Sequence, residues 1–126
     1  NSINNLYMVR YDSNLNFVTK NQLSYTGSST FRIKAQADGL GNVYLNQSGS
    51  LNTFDTLRRF NGALQNDSSI NLNGIYIEDF TFDSPGELSM VGYALANADF
   101  NIGAGFDTTN TEGAFVAVYD QSAKKK

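Results

Sequence analysis

The sequence predicts an all-β fold made of short antiparallel strands, and three observations support this prediction. First, an apolar-rich run that ends in an aromatic residue followed by Asp or Asn occurs three times. Second, apolar and polar residues alternate with the two-residue period of a strand, whereas no window shows a sustained helical period. Third, sixteen Asn and eleven Gly against a single Pro indicate many tight turns, because Asn and Gly tolerate the positive φ that such turns require.

The composition narrows the possible chemistry. The 126 residues correspond to one domain or to a piece of one. A net charge of −3 argues against a dedicated nucleic-acid binder, and no apolar run reaches the ~18 residues needed to insert directly into a membrane. Without Cys or His the chain has no disulfides, no thiolate or imidazole metal ligands and no Ser-His-Asp or Cys-His catalysis. We therefore expect no cofactor and no metal.

The sequence of the first third of the chain predicts a hairpin followed by a loop. Leu6–Tyr11 is bulky at nearly every position, as in a strand that is covered on both faces. Asp12–Asn14 is a turn, since its side chains bond to the local backbone. Leu15–Thr19 is the second strand, and we expect the polar residues Asn21–Thr30 to form a loop.

The middle of the chain contains the clearest alternation. Phe31–Asp38 places apolar residues on one face and polar residues on the other, and Asp38–Gly41 turns the chain into the hairpin partner Asn42–Asn46. Gln47–Asn52 is predicted to be a loop. The strand Thr53–Phe60 follows.

The Asn61-Gly62 pair is the strongest hairpin signal in the chain. Ala63–Gln65 is then predicted to begin a strand that fades into Asn66–Ser69.

The second half repeats this plan. Ile75–Asp83 is predicted to be a strand, Ser84–Gly86 a turn and Glu87–Tyr93 its hairpin partner. Ala94–Glu112 is a long connection rich in Asn, Gly, Asp and Thr. Ala114–Tyr119 is the last strand.

The spacing of these copies predicts a repeated unit. Tyr11, Phe60 and Tyr119 end the three apolar runs and lie 49 and 59 residues apart, while Asp38 and Asp83 lie 45 residues apart. A unit of about 40–50 residues with four strands has the size of one propeller blade.

Three segments resemble the bacterial β-propeller repeats of the SBBP type. Asp38-Gly-Leu-Gly-Asn-Val-Tyr-Leu45 is similar to their Asp-x-x-Gly-Asn-Val-Tyr-Val signature, and Ala114-Phe-Val-Ala-Val-Tyr-Asp120 is similar to their third strand. Asp83–Tyr93 resembles their turn and second strand. The chain departs from the pattern at Gln47, where the repeats favour Gly, and at Val118, where they usually have Lys.

The resemblance implies antiparallel four-stranded blades of a partial propeller, about two to three blades in all. The predicted units are blade remnants at 1–30, a full blade at 31–74 and an incomplete blade at 75–126. The alternative is an ordinary β-sandwich. Because propellers close with about 4–8 blades, we expect either a piece of a longer protein, whose fourth strand would follow Asp120, or a subunit that assembles with further copies.

The resemblance also implies a function. These repeats are common in secreted and surface proteins, so it implies an extracellular or cell-surface location. We expect a non-enzymatic scaffold or recognition module whose partner is a protein, a glycan or further blades of the same parent protein. Two alternatives stay open: part of a carboxylate-dependent glycosidase or lyase propeller, and a self-assembling structural subunit.

The connection Ala94–Glu112 is the best candidate for a binding site, because it is the longest insertion and repeat proteins place function in such insertions. The candidate binding residues are Asp99, Phe100, Asn101, Phe106 and Asp107. The two Phe residues would supply contact area if exposed, or would pack over the edge of the sheet. Oxygen ligands alternate along Asp99–Asp107 as in a Ca²⁺ loop, but a third acidic position and the terminal Glu are missing. We interpret the segment as a polar loop.

Charged residues elsewhere provide two weaker candidate sites. The acidic residues of the second half are Glu78, Asp79, Asp83, Glu87, Asp99, Asp107 and Glu112. Two carboxylates about 5–10 Å apart could hydrolyse a glycoside, but no pair is singled out, so we interpret them as solvated surface with Asp83 repeating the turn role of Asp38. Basic residues inside strands are Arg32, Lys34, Arg58 and Arg59, and we interpret the face of Arg32 and Lys34 as solvated and not as an anion channel.

Overall fold

The computed structural model describes residues 2–27, 32–48, 56–101, 108 and 110–120. These residues form β-strands and turns without any helix, which confirms the predicted all-β class with antiparallel sheets. The same residues accordingly offer no long apolar helix that could cross a membrane. The strands are β1 (Ser2–Tyr11), β2 (Phe17–Gly27), β3 (Arg32–Ala37), β4 (Val43–Ser48), β5 (Thr56–Phe60), β6 (Asn66–Asn71), β7 (Ile75–Ser84), β8 (Glu87–Ala94) and β9 (Gly113–Tyr119).

The strands form three antiparallel sheets in chain order. The first sheet is the β1-β2 hairpin, the second has the order β3-β4-β5-β6 and the third has the order β7-β8-β9. Each strand therefore pairs with the strand that follows it in its sheet, as expected where short turns join antiparallel neighbours. The described residues do not close into a barrel or a propeller.

The hairpin of the first sheet is longer than predicted. β2 continues to Gly27, so the predicted loop at Asn21–Thr30 is wrong up to that residue. Residues Asn21–Gly27 pair with Ser2–Met8 of β1. These polar residues are in a strand because the partner strand satisfies their backbone groups, which the local sequence does not indicate.

The outer strand of the second sheet is also displaced from its predicted position. Ala63–Gln65 belongs to a turn, and β6 covers Asn66–Asn71, where the predicted strand was fading. Five of the six β6 residues, Asn66–Ser69 and Asn71, are exposed and polar, so no alternation marks the strand. Ile70 is the β6 residue that packs against the core.

Among the described residues one five-residue turn occurs three times, and its first residue is Asp or Asn in each case. The three turns are Asp12–Asn16, Asp38–Asn42 and Asn61–Gln65. In each, the Oδ1 atom of the first residue accepts hydrogen bonds from the backbone N–H groups two and four positions later. The fourth residue has a positive φ, and these residues are Leu15 (63°), Gly41 (95°) and Leu64 (58°). The predicted Asn61-Gly62 turn is confirmed, but its positive φ lies at Leu64.

The turn between β7 and β8 is different. Gly86 has a φ of 78°, and its N–H donates to the backbone oxygen of Asp38 over 2.9 Å, which links the turns of neighbouring sheets. Asp83 begins no such turn, because its carboxylate accepts a hydrogen bond from the hydroxyl of Ser89. Asp83 therefore does not repeat the turn role predicted from Asp38, although the two residues precede equivalent strands.

The second and third sheets pack face to face around the main core. The buried residues of this core are Leu57, Leu72, Ile75, Ile77, Phe80, Leu88, Met90, Ala94, Ala98, Phe100, Ala117 and Tyr119. Tyr44 of β4 and Phe82 of β7 contact each other across the two sheets, with ring centroids 4.8 Å apart. Burial of so much aromatic and aliphatic surface is the main favourable term that holds these two sheets together.

The first sheet contacts the second through the turn Asn61–Gln65. The guanidinium of Arg10 donates to the backbone oxygen of Gly62, and the amide of Asn21 donates to the backbone oxygen of Leu64 over 2.7 Å. Leu64 itself is buried.

Candidate functional site

Strands β3 and β7 lie next to each other at the edges of their sheets and are joined by two ion pairs. The guanidinium of Arg32 donates to both carboxylate oxygens of Glu78, each over 3.2 Å, and the ammonium of Lys34 contacts the carboxylate of Asp79. A bidentate Arg–carboxylate pair fixes orientation as well as distance. The predicted solvated face of β3 is therefore exposed but paired, and its cations are neutralised by the next sheet.

A β-bulge in β7 makes both ion pairs possible. The pairing register with β8 shifts between Ile77 and Asp79, which leaves Glu78 without a partner residue. In a regular strand the consecutive residues Glu78 and Asp79 would point to opposite faces, but the extra residue interrupts the alternation and lets both reach β3. Gly92 lies opposite the bulge, where an added Cβ would stand 2.0 Å from the backbone oxygen of Tyr76.

The sequence alone does not predict the ion pairs, because the two partners of each pair are about 45 residues apart in the chain. One local signal was available: two consecutive acidic residues interrupt an otherwise alternating strand and mark a bulge. The hydrogen bond and charge of the Lys34 ammonium hold the pKa of Asp79 below its ordinary value, despite some desolvation. Asp79 therefore stays ionised, and paired, over the neutral range.

The other candidate acidic residues that the structure describes, Asp83, Glu87, Asp99 and Glu112, lie in or beside the third sheet. Asp83 bonds to Ser89 in the β7-β8 hairpin. Partial removal from water raises the pKa of the Tyr93 hydroxyl, and the charge and hydrogen bond of Glu112 add to this rise. Within the described ranges no three acidic residues come close enough to hold a metal ion together.

The connection after β8 begins with a turn that is anchored to the preceding loop. The N–H of Leu95 donates to the backbone oxygen of Gly74 over 2.8 Å, and the N–H of Ala98 donates to the oxygen of Leu95. Ala98 is buried, and a Cβ added at Gly74 would stand only 3.1 Å from it. Gly74 also has a φ of 78°, so this close approach requires Gly.

Phe100 belongs to the core. It is buried and meets Phe115 edge to face, with ring centroids 5.1 Å apart. Its backbone oxygen accepts a 2.8 Å hydrogen bond from the buried hydroxyl of Tyr119. Of the two alternatives for this residue, packing over the edge of the sheet is the one observed, so Phe100 anchors the connection and offers no contact area to a partner.

Asp99 and Asn101 form the base of the candidate binding loop. Asp99 pairs with Thr108 in an isolated antiparallel bridge, and its carboxylate accepts the N–H of Asn101 over 2.9 Å. Both side chains are partly exposed. The other two predicted binding residues, Phe106 and Asp107, lie outside the described residues. The structure thus brings Asp99 and Asn101 together at a fixed base and removes Phe100 from the predicted site.

Comparisons of the chain with protein-family models, with curated proteins and with solved structures found no match.

Proposed function

We propose that this chain is a run of β-propeller blades that serves as a non-enzymatic scaffold or recognition module of a secreted or cell-surface protein. The partner would be a protein or a glycan, bound by the loop between residues 101 and 108. The observation that carries the proposal is the face-to-face packing of two meandering antiparallel sheets whose first strands, β3 and β7, adjoin.

The sheet arrangement supports blades over a sandwich. In a propeller, each blade is a meander of four strands, and the first strands of successive blades meet near the central axis. The second sheet has four consecutive strands, and β3 is joined to β7 by ion pairs at adjoining edges. In a sandwich we would expect strands to cross between two sheets through Greek-key connections, whereas here each described sheet is continuous in sequence.

The anchored connection supports recognition. Buried Ala98 and Phe100 attach the chain before residue 102 to the core of the third sheet, and the bridge between Asp99 and Thr108 brings the described residues on either side of 102–107 together. A variable loop on a rigid scaffold is a common arrangement of binding residues. Asp99 and Asn101 at its base carry oxygen and amide groups that can bond to sugar hydroxyls or to a peptide backbone.

The hydrogen bonds of the carboxylates support a non-enzymatic role. Glu78 and Asp79 pair with cations of the neighbouring sheet, and Asp83 and Asp99 bond to a hydroxyl and a backbone N–H. Each of these contacts stabilises the fold. A catalytic acid instead needs a raised pKa and an approach for substrate.

Binding to arrays of glycans and extracellular proteins tests the proposal. In the key variant, residues 102–107 are replaced by a Gly-Ser segment of equal length, which leaves the buried Ala98 and Phe100 in place. We expect the original chain to bind a defined subset and this variant to bind about tenfold or more weakly. Leu40→Ser, an exposed change in the turn near Gly86 at the opposite end of the sheets, is the control and should bind normally.

Three outcomes would count against the proposal. Unchanged binding by the Gly-Ser variant would clear the loop of this role, and no binding to any array member would remove the recognition function. Release of reducing sugar from a bound glycan would contradict the non-enzymatic part.

A further inference from the structure

Strands β4 and β5 of the second sheet are equivalent residue by residue to β8 and β9 of the third sheet, as their pairing registers reveal. Phe60 pairs with Val43 in the second sheet, and Tyr119 pairs with Leu88 in the third. Both aromatic residues end their strand, are followed by Asn or Asp and are almost completely buried. Counting back from these pairs assigns every residue of β5 to one residue of β9.

This equivalence identifies an open face on the third sheet. Three positions before Phe60 is Leu57, which is 0% exposed because the third sheet covers it. Three positions before Tyr119 is Val116, which is 76% exposed. Val116 pairs with the exposed Val91, next to the exposed Tyr93 on the same face of β8. The face of the third sheet that corresponds to the covered face of the second is therefore apolar and uncovered.

The first sheet also has an open face, and this face corresponds to the side of the second sheet on which Phe60 lies. Tyr11 ends β1 and precedes the turn Asp12–Asn16, so it corresponds to Phe60, which ends β5 before the equivalent turn. Phe60 is 0% exposed, whereas Tyr11 is 57% exposed. Tyr7 and Val9 lie on the same face of β1 by alternation and are exposed too. Phe17, which pairs with Tyr11, adds to this apolar surface.

We propose that the open face of the third sheet binds the open face of the first sheet of a second copy of this chain. Within one chain the Leu57 face of the second sheet already packs on the third sheet, on the side where Tyr119 lies. The Val116 face of the third sheet corresponds to the Leu57 face of the second sheet. The Tyr11 face of the first sheet corresponds to the Tyr119 face of the third sheet. The two open faces are therefore of the two kinds that already pack together inside the molecule. Their joining continues an interface that the molecule already contains.

Charge supports this pairing of faces. Lys20 is exposed opposite Val9 on the open face of the first sheet. Asp83 lies beside Ser89, which pairs with Val118 on the open face of the third sheet. One face thus carries a cation beside its apolar residues and the other an anion, which favours the contact between unlike faces over contacts between like faces.

The proposed interface is head to tail. Such heterologous contacts form a ring where the rotation closes and a filament where it does not. The inference rests on the stacked-sheet part of the proposed function and is independent of what the loop binds. A chain that binds its array target as a monomer would therefore overturn the self-association while leaving recognition in place.

Sedimentation equilibrium of the original chain and two surface variants tests the proposal. Val116→Lys places a charge on the third-sheet face, and Tyr7→Lys places a charge on the first-sheet face; both residues are exposed, so both variants should fold. We expect the original chain to associate as its concentration rises, and each variant alone to have the monomer mass. Mixed at equal concentration, the variants should form a dimer of twice the monomer mass, because each keeps the face that the other has lost.

The control is Leu40→Lys, which places the same charge on an exposed apolar residue of the turn Asp38–Asn42, away from both faces. It should associate like the original chain. A monomeric original chain at every concentration would overturn the proposal and would mean that another partner covers these faces. Association that persists in both single variants, or a mixture that stays monomeric, would overturn it as well.

Discussion

The side chain of Asp38 is buried, and its carboxylate accepts three hydrogen bonds from the turn that it begins. Two come from backbone N–H groups of Leu40 and Asn42, and the third comes from the Asn42 side chain. Its backbone oxygen accepts the N–H of Gly86 from the next sheet. A single residue thus closes one hairpin and links it to its neighbour.

Asp38→Ala should lower the free energy of unfolding by about 2 kcal/mol, because three donors lose their acceptor in a buried turn. Urea unfolding followed by far-ultraviolet circular dichroism measures this loss. Asp12→Ala is the matched control, since Asp12 makes the same bonds in an exposed turn. Its loss should be smaller, and equal losses would contradict the importance of burial at Asp38.

The same carboxyl gives a pH dependence with a definite sign. Burial acts to raise the pKa of Asp38, but the hydrogen bonds from Asn42 and Leu40 outweigh it and hold the pKa below its ordinary value of 3.8. The charged form therefore stabilises the fold above pH 3.8, and this contribution is lost as the pH falls through the folded pKa. Asp38→Asn keeps the shape without the charge. The difference in unfolding free energy between the original chain and Asp38→Asn should be constant near neutral pH and should shrink in acid. A difference that stays constant until the Asp38 carboxyl is fully protonated would refute this.

Gly92 is required by the close approach of β7. Gly92→Ala would place a Cβ 2.0 Å from the backbone oxygen of Tyr76, so the bulge must shift, at a cost of about 3 kcal/mol or more. Gly113→Ala in the adjacent strand is the control, because nothing lies within 4 Å of its added Cβ. Thermal unfolding should show a large drop of the unfolding midpoint for Gly92→Ala and no drop for Gly113→Ala. Similar midpoints for both variants would show that β7 can move away from the added Cβ at little cost in free energy.

At the scale of the element, the bulge of β7 decides how two sheets are aligned. It sets Glu78 and Asp79 against Arg32 and Lys34, and these side chains are exposed enough that solvent and salt screen their attraction. The apolar core supplies most of the stability of the sheet pair. The ion pairs are better suited to fixing which residues of β3 and β7 lie opposite each other.

Exchange of the two charges of one pair tests this role. Lys34→Asp and Asp79→Lys each put like charges together and should each lower the unfolding midpoint, while the double variant should recover most of the loss. The recovery should weaken in about 1 M salt, which screens the attraction. A double variant no more stable than the sum of the two single changes would mean that the pair has no coupling.

At the scale of the whole molecule, stability is unevenly distributed. The second and third sheets share one core, whereas the β1-β2 hairpin lies outside this core, donates hydrogen bonds from Arg10 and Asn21 to the turn Asn61–Gln65 and exposes Tyr7 and Tyr11. A two-stranded hairpin is only marginally stable by itself.

Native-state hydrogen exchange should therefore find two levels of protection. Amides in the β1-β2 ladder should exchange faster than those of β4 and β8, because the hairpin can open without disrupting the shared core. The comparison is internal to one sample of the original chain, read at the monomer concentration. Equal exchange of both sets of amides would indicate a single cooperative unit.

Sequence reasoning located strands where apolar residues leave a pattern. The apolar run of Ala114–Tyr119 located β9, whose Ala117 and Tyr119 are buried. The alternation of Phe31–Asp38 located β3 by its two-residue period, but the apolar residues Ile33, Ala35 and Ala37 are exposed and the polar residues Lys34 and Gln36 are half-buried, so the face expected to be covered is wrong. Sequence reasoning failed at β6 and at the end of β2, whose mostly polar residues pair with a neighbouring strand but show no alternation. Phe100 could not be placed from sequence, since an aromatic residue in a polar connection can be either anchor or contact. The ion pairs of β7 depend on which strand lies beside it, and that is decided by tertiary packing.

The equivalence of the strand pairs β4-β5 and β8-β9 also bears on how such a chain could have grown. If a gene segment encoding one such sheet and its turns is copied in tandem, the new sheet presents a Leu57-like face on one side and a Tyr119-like face on the other. Every contact between neighbours is then inherited with the copy, and no new interface has to arise by point mutation. Duplication and loss of whole units would change the length of the array in single genetic steps, while the turns begun by Asp12, Asp38 and Asn61 keep their form.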